Sequence, residues 1–419
     1  MAGHVQDRWY KTETGADGKS RRVKTDRYGK GSRYRARYIG PDGTEQSKSF
    51  PDKQKRLAEK WLSNIETDMA RGTYVDPRAA RITFRSYAAK WLKGQTSELS
   101  SQIEIERRLR LHAFPLIGSR PLDSFRPQHI RELLGALESS SISNSYARNI
   151  YSDVRSVLSA AVDDGLLPRN PCAVKSVRPP AGEPRRVVPW SAEQVRAVRA
   201  ALPARYRAMA DVGAGCGLRQ GEIVGLAEDA VDFEVGVLRV VRQVKLIRGK
   251  AVFAPPKCDK ERDVPLPTYV ADSLREHMDA CKPVEVTLPW RKPDGPLVTA
   301  RLLFTNQANG VVWRSNFNIQ EWKPAIAAAG LIPVPEKGKP YAAAREHGMH
   351  ALRHFYASLL LDAGENIKAV SQYLGHADPA LTLRVYAHLM PSSQERTRKA
   401  VDGLFLPAPR ASDGPETAQ

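Results

Sequence analysis

The sequence predicts a multidomain, mainly α chain. Its parts are a small N-terminal three-stranded sheet with one helix, a helical second domain, and a mixed α+β third domain with a three-stranded sheet of its own. Three observations carry this. Short alternating segments divided by glycines fill the first 50 residues; apolar residues at three- and four-residue spacing dominate from Thr83 onward; and one group of strands bounded by glycine and proline interrupts that helical pattern between Val235 and Pro267. With 419 residues and 42% hydrophobic content, the chain is long enough for two to four packed domains.

The first domain, residues 1–72, reads as strands RVKTDRYGKG, SRYRARYIG and EQSKSF, separated by Gly29, Gly31 and the turn Pro41-Asp42-Gly43. A helix follows from Lys53 to Ala70, with Leu57, Trp61 and Ile65 on its apolar stripe. Up to Gly40 eleven Lys and Arg oppose four Asp and Glu, whereas from Pro41 to Val75 six oppose six, so the basic excess belongs to the strands. Arg33, Arg35 and Arg37 alternate with Tyr34, Ala36 and Tyr38, which puts three guanidinium groups on one face as candidate DNA contacts.

Four helical patterns make up the second domain, residues 73–170, starting at Thr83, at the segment IEIERRLRLHAF, at Pro127 and around Ile150. Arg107 and Arg148, with Arg108, Arg110 and Arg155, decorate it as candidate phosphate contacts. Residues 171–188 are rich in proline and positive charge and read as an extended linker. The third domain, 189–395, opens with the capping box Ser191–Gln194, continues through RYRAMADVGAG and LRQGEIVGL, and then turns to the strands VGVLRVVRQ, AVFAPP and RDVPLP, with Lys257 at the tip before the last. The glycines of GAGCG match neither GxxxxGK[ST] nor GxGxxG, so they form no nucleotide loop. Helices are expected to resume at Tyr269 and to continue, with a proline-rich interruption at 283–296, and residues 396–419 read as a tail.

The formal charge of +19 and pI near 9.8 favour a polyanionic partner. No apolar run approaches the roughly 18 residues that cross a bilayer, and the N-terminus lacks the apolar segment of a signal peptide, so a cytoplasmic nucleic-acid binder with no membrane partner is expected. Cys172, Cys216, Cys258 and Cys281 are scattered without a CxxC pair, which argues against a disulfide framework or a cysteine zinc site.

The densest chemistry lies between His350 and Tyr386. His350, Arg353 and His354 share one face of a helix, with Leu352, Phe355, Tyr356 and Leu359 opposite; Gly364 ends that helix, Asn366 caps the next, Gly375 stops it, and Asp378-Pro379 starts a third that contains Tyr386. A tyrosine hydroxyl, with an ordinary pKa of about 10, becomes useful against a phosphate only beside strong positive charge. Arg353, His350 and His376 are the expected suppliers of that charge.

The motifs GLRQGE, PPKCDKERDVPLP, HALRH, LGH and RVYAH, in this order, resemble those of tyrosine recombinases of the phage and mobile-element integrase type. The helical region ending in GLLPRNP resembles the core-site DNA-binding domain of that family, and the N-terminal sheet its arm-site domain. The resemblance implies a catalytic set of Arg219, Lys257, His350, Arg353, His376 and Tyr386, with Tyr386 attacking a scissile phosphate to form a 3′-phosphotyrosyl link. It also implies that Arg219 and Arg353 grip the non-bridging oxygens, that Lys257 protonates the leaving 5′ oxygen, and that Glu222 orients Arg219 or His350. Neither metal nor other cofactor is implied. The expected partners are double-stranded DNA attachment sites, bound by a homotetramer, with a DNA-bending host factor and an excision factor as further candidates. Two other classes fit parts of the sequence. A non-catalytic DNA-binding regulator would account for the charge, and a metal-dependent nuclease would use His350 and His354 at i, i+4, although HALRH lacks the glutamate of HExxH.

Overall fold

The computed structural model describes residues 3–14, 19–72, 74, 76, 81–182, 187–376 and 378–387, and the chain divides into two units, Met1–Pro184 and Arg185–Gln419. In the first unit β1 (His4–Asp7), β2 (Tyr10–Thr14), β3 (Ser20–Lys24), β4 (Tyr34–Ile39), β5 (Glu45–Phe50) and α1 (Lys55–Ala70) come first. The sheet is three-stranded and antiparallel in the order β1-β4-β5, but its first member is His4–Asp7 rather than the expected RVKTDRYGKG segment. Ser20–Lys24 instead pairs with Tyr10–Thr14 as a separate hairpin. HVQD is too short and mixed to show alternation, so sequence pattern could not identify it as a strand.

Alternation along β4 sends Tyr34, Ala36 and Tyr38 inward, where the first two join Phe50 and Ala58 in a core that Trp61 borders. The buried side of α1 runs through Ala58 and Leu62, while Leu57, assigned to the stripe from sequence, is 52% exposed. One step of helical phase separates the two readings.

A second core in this unit is helical: α2 (Phe84–Lys93), α3 (Leu99–Arg108), α4 (Phe114–Ile117), α5 (Pro127–Glu138) and α6 (Asn144–Asp163) enclose Phe84, Tyr87, Leu133, Ile150 and Leu158. Thr83 and Ser143 cap α2 and α6 by accepting from the N–H three residues on. Between α3 and α4 the helix widens over Leu109–Ala113, because Pro115 has no N–H to give the carbonyl of Leu111. Cys172 and Val177 also pack here, so the start of the proline-rich stretch is tied to this core.

In the second unit α7 (Ala192–Ala201), α8 (Ala204–Cys216) and α9 (Gln220–Val224) precede β6 (Val231–Asp232), β7 (Val237–Val240), β8 (Gln243–Ile247), β9 (Lys250–Ala254) and β10 (Arg262–Pro265). The expected three-stranded sheet exists with a different membership: the order is β10-β7-β6, and β8 pairs with β9 as a hairpin. VGVLRVVRQ therefore breaks in two at Val241-Arg242. Beyond α10 (Thr268–Ala280), the stretch assigned to interrupted helix is a β-hairpin of β11 (Val284–Pro289) and β12 (Leu297–Leu302), whose prolines lie at a strand end and in the turn region. Then follow α11 (Arg314–Phe317), α12 (Lys323–Ala328), α13 (His350–Asp362), α14 (Ile367–Leu374) and α15 (Pro379–Tyr386).

Helix α8 is the centre of this unit, buried from Ala208 through Ala214. Its glycine at position 213 lets α13 approach closely, since a Cβ there would lie 2.9 Å from Cδ1 of Leu352. The start of α13 is pinned by two tryptophans stacked at 6.1 Å. Trp190 Nε1 donates to Nδ1 of His347 at 3.1 Å, and Trp322 Nε1 donates to the His347 carbonyl at 2.7 Å.

Candidate active site

The C-terminal end of α14 organises the site. Asn366 starts the helix by accepting from Lys368 N–H, and Gly375 ends it in the left-handed region at φ 62°. A helix C-terminus leaves carbonyls without internal partners and carries partial negative charge, so it favours cations. Here three consecutive carbonyls each receive a guanidinium from a different element. Arg262 of β10 donates from Nε to the Tyr373 carbonyl at 2.7 Å, Arg353 of α13 donates from Nη2 to the Leu374 carbonyl, and Arg219, ahead of α9, donates from Nη2 to the Gly375 carbonyl at 3.3 Å.

Glu222 holds two of these arginines. One of its carboxylate oxygens accepts from Arg219 Nη1 at 2.8 Å, and the other accepts the Arg219 backbone N–H at 2.9 Å. The same carboxylate accepts from Arg262 Nη1 at 3.1 Å and Nη2 at 2.6 Å, a bidentate grip. Burial opposes the charge on Glu222, but the hydrogen bonds and charge of Arg262, with the charge of Arg219, outweigh it and hold the carboxyl down at about 2. Of the two targets the sequence offered for Glu222, Arg219 is the one it touches; it forms no hydrogen bond to His350 among the described residues.

Arg353 is 1% exposed, and its Nη1 donates to the Gly217 carbonyl at 2.8 Å. Gly217 sits at φ 65°, and a Cβ there would fall 2.3 Å from Cδ1 of Tyr356, so the turn that aims this carbonyl requires glycine. Burial and the nearby Arg219 weaken the hold of Arg353 on its proton, yet a guanidinium begins so high that it stays charged at neutral pH. The expected division of α13 into a packed face and a polar face is thus corrected: Arg353 is interior, while Leu359, placed on the packed face, is exposed.

The three histidines are close but not cationic. Burial, followed by neighbouring positive groups with Arg353 foremost, pushes His376 down to about 4, and burial with Arg353 does the same to His354. His350 also lies below its ordinary value, through desolvation and then the charges of His354, Arg353 and Arg219, although the residue as a whole is exposed. The expectation that His350 and His376 supply positive charge is therefore corrected. In the free site the fixed charge is that of Arg219, Arg262 and Arg353 against Glu222, three cations to one anion. His376 Nδ1 shares a 2.7 Å hydrogen bond with Thr382 Oγ1, itself fully buried on α15. Tyr386, the last residue of α15 as described, is 1% exposed, and its hydroxyl shares a 2.7 Å hydrogen bond with Nδ1 of His354. Burial raises the phenol to about 12.

Lys257 is apart from this cluster. It lies exposed in the turn between β9 and β10, with no hydrogen bond or ion pair among the described residues, beside Cys258 and Asp259 at positive φ. In the first unit, Arg33, Arg35 and Arg37 do share one face of β4, the central strand, but all three have protein partners. Arg33 binds Asp7 at 3.0 Å and Asp52 at 2.9 Å, Arg35 donates to Ser47 Oγ, and Arg37 pairs with Glu45 at 3.1 Å. Arg107 pairs with Glu104 on the helix surface, and Arg148 is exposed without a partner among the described residues. Arg108 forms a largely buried ion pair with Asp153 at 2.6 Å and is a structural residue of the helical core.

Sequence reasoning missed Arg262, Thr382 and the role of His354. A signal for Arg262 existed: it occupies the inward phase of a strand in which Val264 is buried and Asp263 exposed, an unusual place for an arginine. Among the described residues, no group of three or more His, Cys, Asp or Glu side chains is arranged to hold a metal ion.

Residues 191–393 match the phage integrase family, and residues 84–176 match the phage integrase central domain. The integrase of Mycobacterium phage L5 is 27% identical over 378 residues, covering 86% of this chain and 92% of that protein. A tyrosine recombinase XerC-like protein of Caldanaerobacter subterraneus subsp. tengcongensis is 29% identical over 59% of this chain, and the match spans 63% of its own length. Among solved structures, a Tn1549 transposon integrase fragment in complex with a circular intermediate DNA superposes with a TM-score of 0.61 at 20% identity, over 77% of this chain and 99% of that one. A lambda integrase tetramer bound to a Holliday junction gives 0.54 at 15% identity, over 85% and 92%. The chain belongs to the phage integrase family of tyrosine recombinases, and it is a site-specific recombinase.

Proposed function

We propose that this recombinase integrates, and under other conditions excises, a phage or mobile element by cutting and rejoining DNA through a 3′-phosphotyrosyl intermediate at Tyr386. The observation that carries the reading is the convergence of Arg219 and Arg353 on adjacent carbonyls at the end of α14, one residue before His376. Guanidinium forks match the geometry of phosphate oxygens, and donors held rigid before substrate arrives stabilise the charge that grows as the phosphorus becomes five-coordinate. Glu222 and Arg262 keep Arg219 in place, while neutral His350 and His376 serve as hydrogen-bond groups to the phosphate. Lys257, on its exposed turn, is the candidate acid for the leaving 5′ oxygen; DNA binding would have to bring that turn to the scissile phosphate. The fixed cations take the electrostatic role that a metal pair plays in other phosphoryl transferases.

In this reading residues 1–72 bind arm sites, 73–170 bind the core site, 171–188, whose start packs on the helical core, lead to the catalytic domain at 189–395, and 396–419 form a tail. Four copies act on paired attachment sites in the cytoplasm, with a DNA-bending host factor and an excision factor setting direction. Arg148 is the best placed of the suggested DNA contacts, because it is exposed and, among the described residues, has no protein partner for DNA to displace. Arg33 would have to exchange Asp7 and Asp52 for phosphate, so its contribution should be small. The test is incubation with nicked target duplex in excess chelator and, in parallel, with added magnesium or zinc, followed by denaturing electrophoresis. A covalent protein–DNA adduct supports the recombinase mechanism, metal-dependent free nicks support a nuclease, and intact DNA leaves a regulator.

A further inference from the structure

Tyr386 is held in this structure by a residue outside the six to which the family resemblance gives catalytic roles. Its hydroxyl oxygen and Nδ1 of His354 are 2.7 Å apart, although the two residues stand 32 positions apart in the chain. We propose that His354 is a further catalytic residue, the proton acceptor that activates Tyr386 for attack. The inference rests on Tyr386 being the nucleophile.

Neither of the other two histidines of the site bonds Tyr386 among the described residues. Nδ1 of His376 is taken by Thr382, and His350 meets the ring of His354 edge-on at a centroid distance of 4.6 Å without bonding Tyr386. His354 directly follows Arg353, so one turn of α13 presents both a phosphate-gripping guanidinium and a partner for the nucleophile. A phenol buried to this degree keeps its proton at neutral pH, so the proton must leave during attack and needs an acceptor within hydrogen-bond reach. His354 is neutral and half-buried, with Arg353 disfavouring a second proton on its ring. An arriving phosphodiester, and the negative charge that builds on it, offsets that guanidinium and raises the basicity of His354 at the moment of transfer.

The step balances as follows. The Tyr386 Oη–H proton passes to Nδ1 of His354 while Oη bonds to phosphorus; the bond from phosphorus to the 5′ oxygen breaks, and that oxygen takes its electron pair and a proton from the acid assigned to Lys257. Religation runs in reverse, with His354 returning the proton to Oη.

The test measures single-turnover adduct formation on a nicked core duplex by the full-length parent, His354→Ala, His354→Gln and Tyr386→Phe. Both His354 variants should bind the duplex as the parent does and form adduct about 10²- to 10⁴-fold more slowly, the usual range for a lost acid–base group. Glutamine keeps an acceptor for the phenol but cannot take its proton, so adduct formation by His354→Gln at the parental rate would reduce His354 to a prop and overturn the proposal. Added imidazole should restore part of the rate of His354→Ala, and should do nothing for Tyr386→Phe. A 5′-bridging sulfur, which departs without protonation, should rescue Lys257→Ala but not His354→Ala; rescue of both would place His354 on the leaving group and overturn the proposal. Adduct formed by Tyr386→Phe would instead defeat the assignment of the nucleophile, a separate outcome from loss of the base.

Discussion

Replacing Glu222 by glutamine should destabilise the catalytic unit by an amount that the site itself supplies. The folded carboxyl is held at about 2, against an ordinary value of 4.5. At 1.36 kcal/mol per pKa unit this difference corresponds to about 3 kcal/mol near pH 7, consistent with the roughly 3–5 kcal/mol lost when one member of a buried ion pair is removed. Glutamine fits the space but turns an N–H group toward Arg219 or Arg262, both of which need acceptors. Because the folded pKa is depressed, the stabilisation is fully present above about pH 4.5 and is lost as pH falls through about 2. Urea unfolding of the full-length parent and Glu222→Gln should therefore differ by about 3 kcal/mol near pH 7, and by clearly less near pH 3. Equal midpoints near pH 7, or a gap that does not narrow on acidification, would refute the assignment of Glu222 as the charged clamp.

Other consequences are more local. Gly217→Ala must adopt φ 65° and displace Tyr356, so it should lose at least about 1–3 kcal/mol in thermal or urea unfolding and slow adduct formation as the Gly217 carbonyl leaves Arg353. Lys257→Ala should lower the cleavage rate by about two to four orders of magnitude with little change in stability, since the side chain is exposed and has no partner among the described residues; single-turnover cleavage and a melting curve check both. With His354 and His376 pushed down to about 4 by burial and by Arg353, both rings should stay neutral in the DNA-free protein between about pH 8 and pH 6; a titration of either ring near 6.5, followed by NMR without DNA, would mean that they behave as ordinary imidazoles. Removing residues 1–72 should leave cleavage of a short core duplex intact and abolish recombination between full attachment sites, as a paired cleavage and integration assay would show.

How much of this was legible in the sequence follows from the range of each interaction. The caps of α13 to α15 were readable because Gly364, Asn366, Gly375 and Asp378-Pro379 act through neighbouring backbone groups. Strand membership was not, because pairing partners are remote: β1 carries no alternating pattern, and β11 and β12 resembled breaks in a helix because of their prolines. The candidate residues around Arg219 and Arg353 were legible as motifs, while their means of support was not. Arg262 and Arg219 are joined through Glu222 and the end of α14, a contact among three separate stretches of chain. The charge state of the histidines also escaped, since no sequence pattern shows that Arg353 lies buried beside them.

The most direct measurement identifies the residue that carries DNA. The adduct formed on a nicked core duplex would be digested with nuclease and trypsin and read by mass spectrometry. Cleavage after Arg384 and Arg396 releases residues 385–396, in which Tyr386 is the only tyrosine. That peptide should bear a nucleotide through the Tyr386 oxygen, and the modification should be absent from Tyr386→Phe. A nucleotide on any other residue, or an unmodified 385–396 peptide in material that is covalently joined to DNA, would contradict the assignment of Tyr386 as the nucleophile.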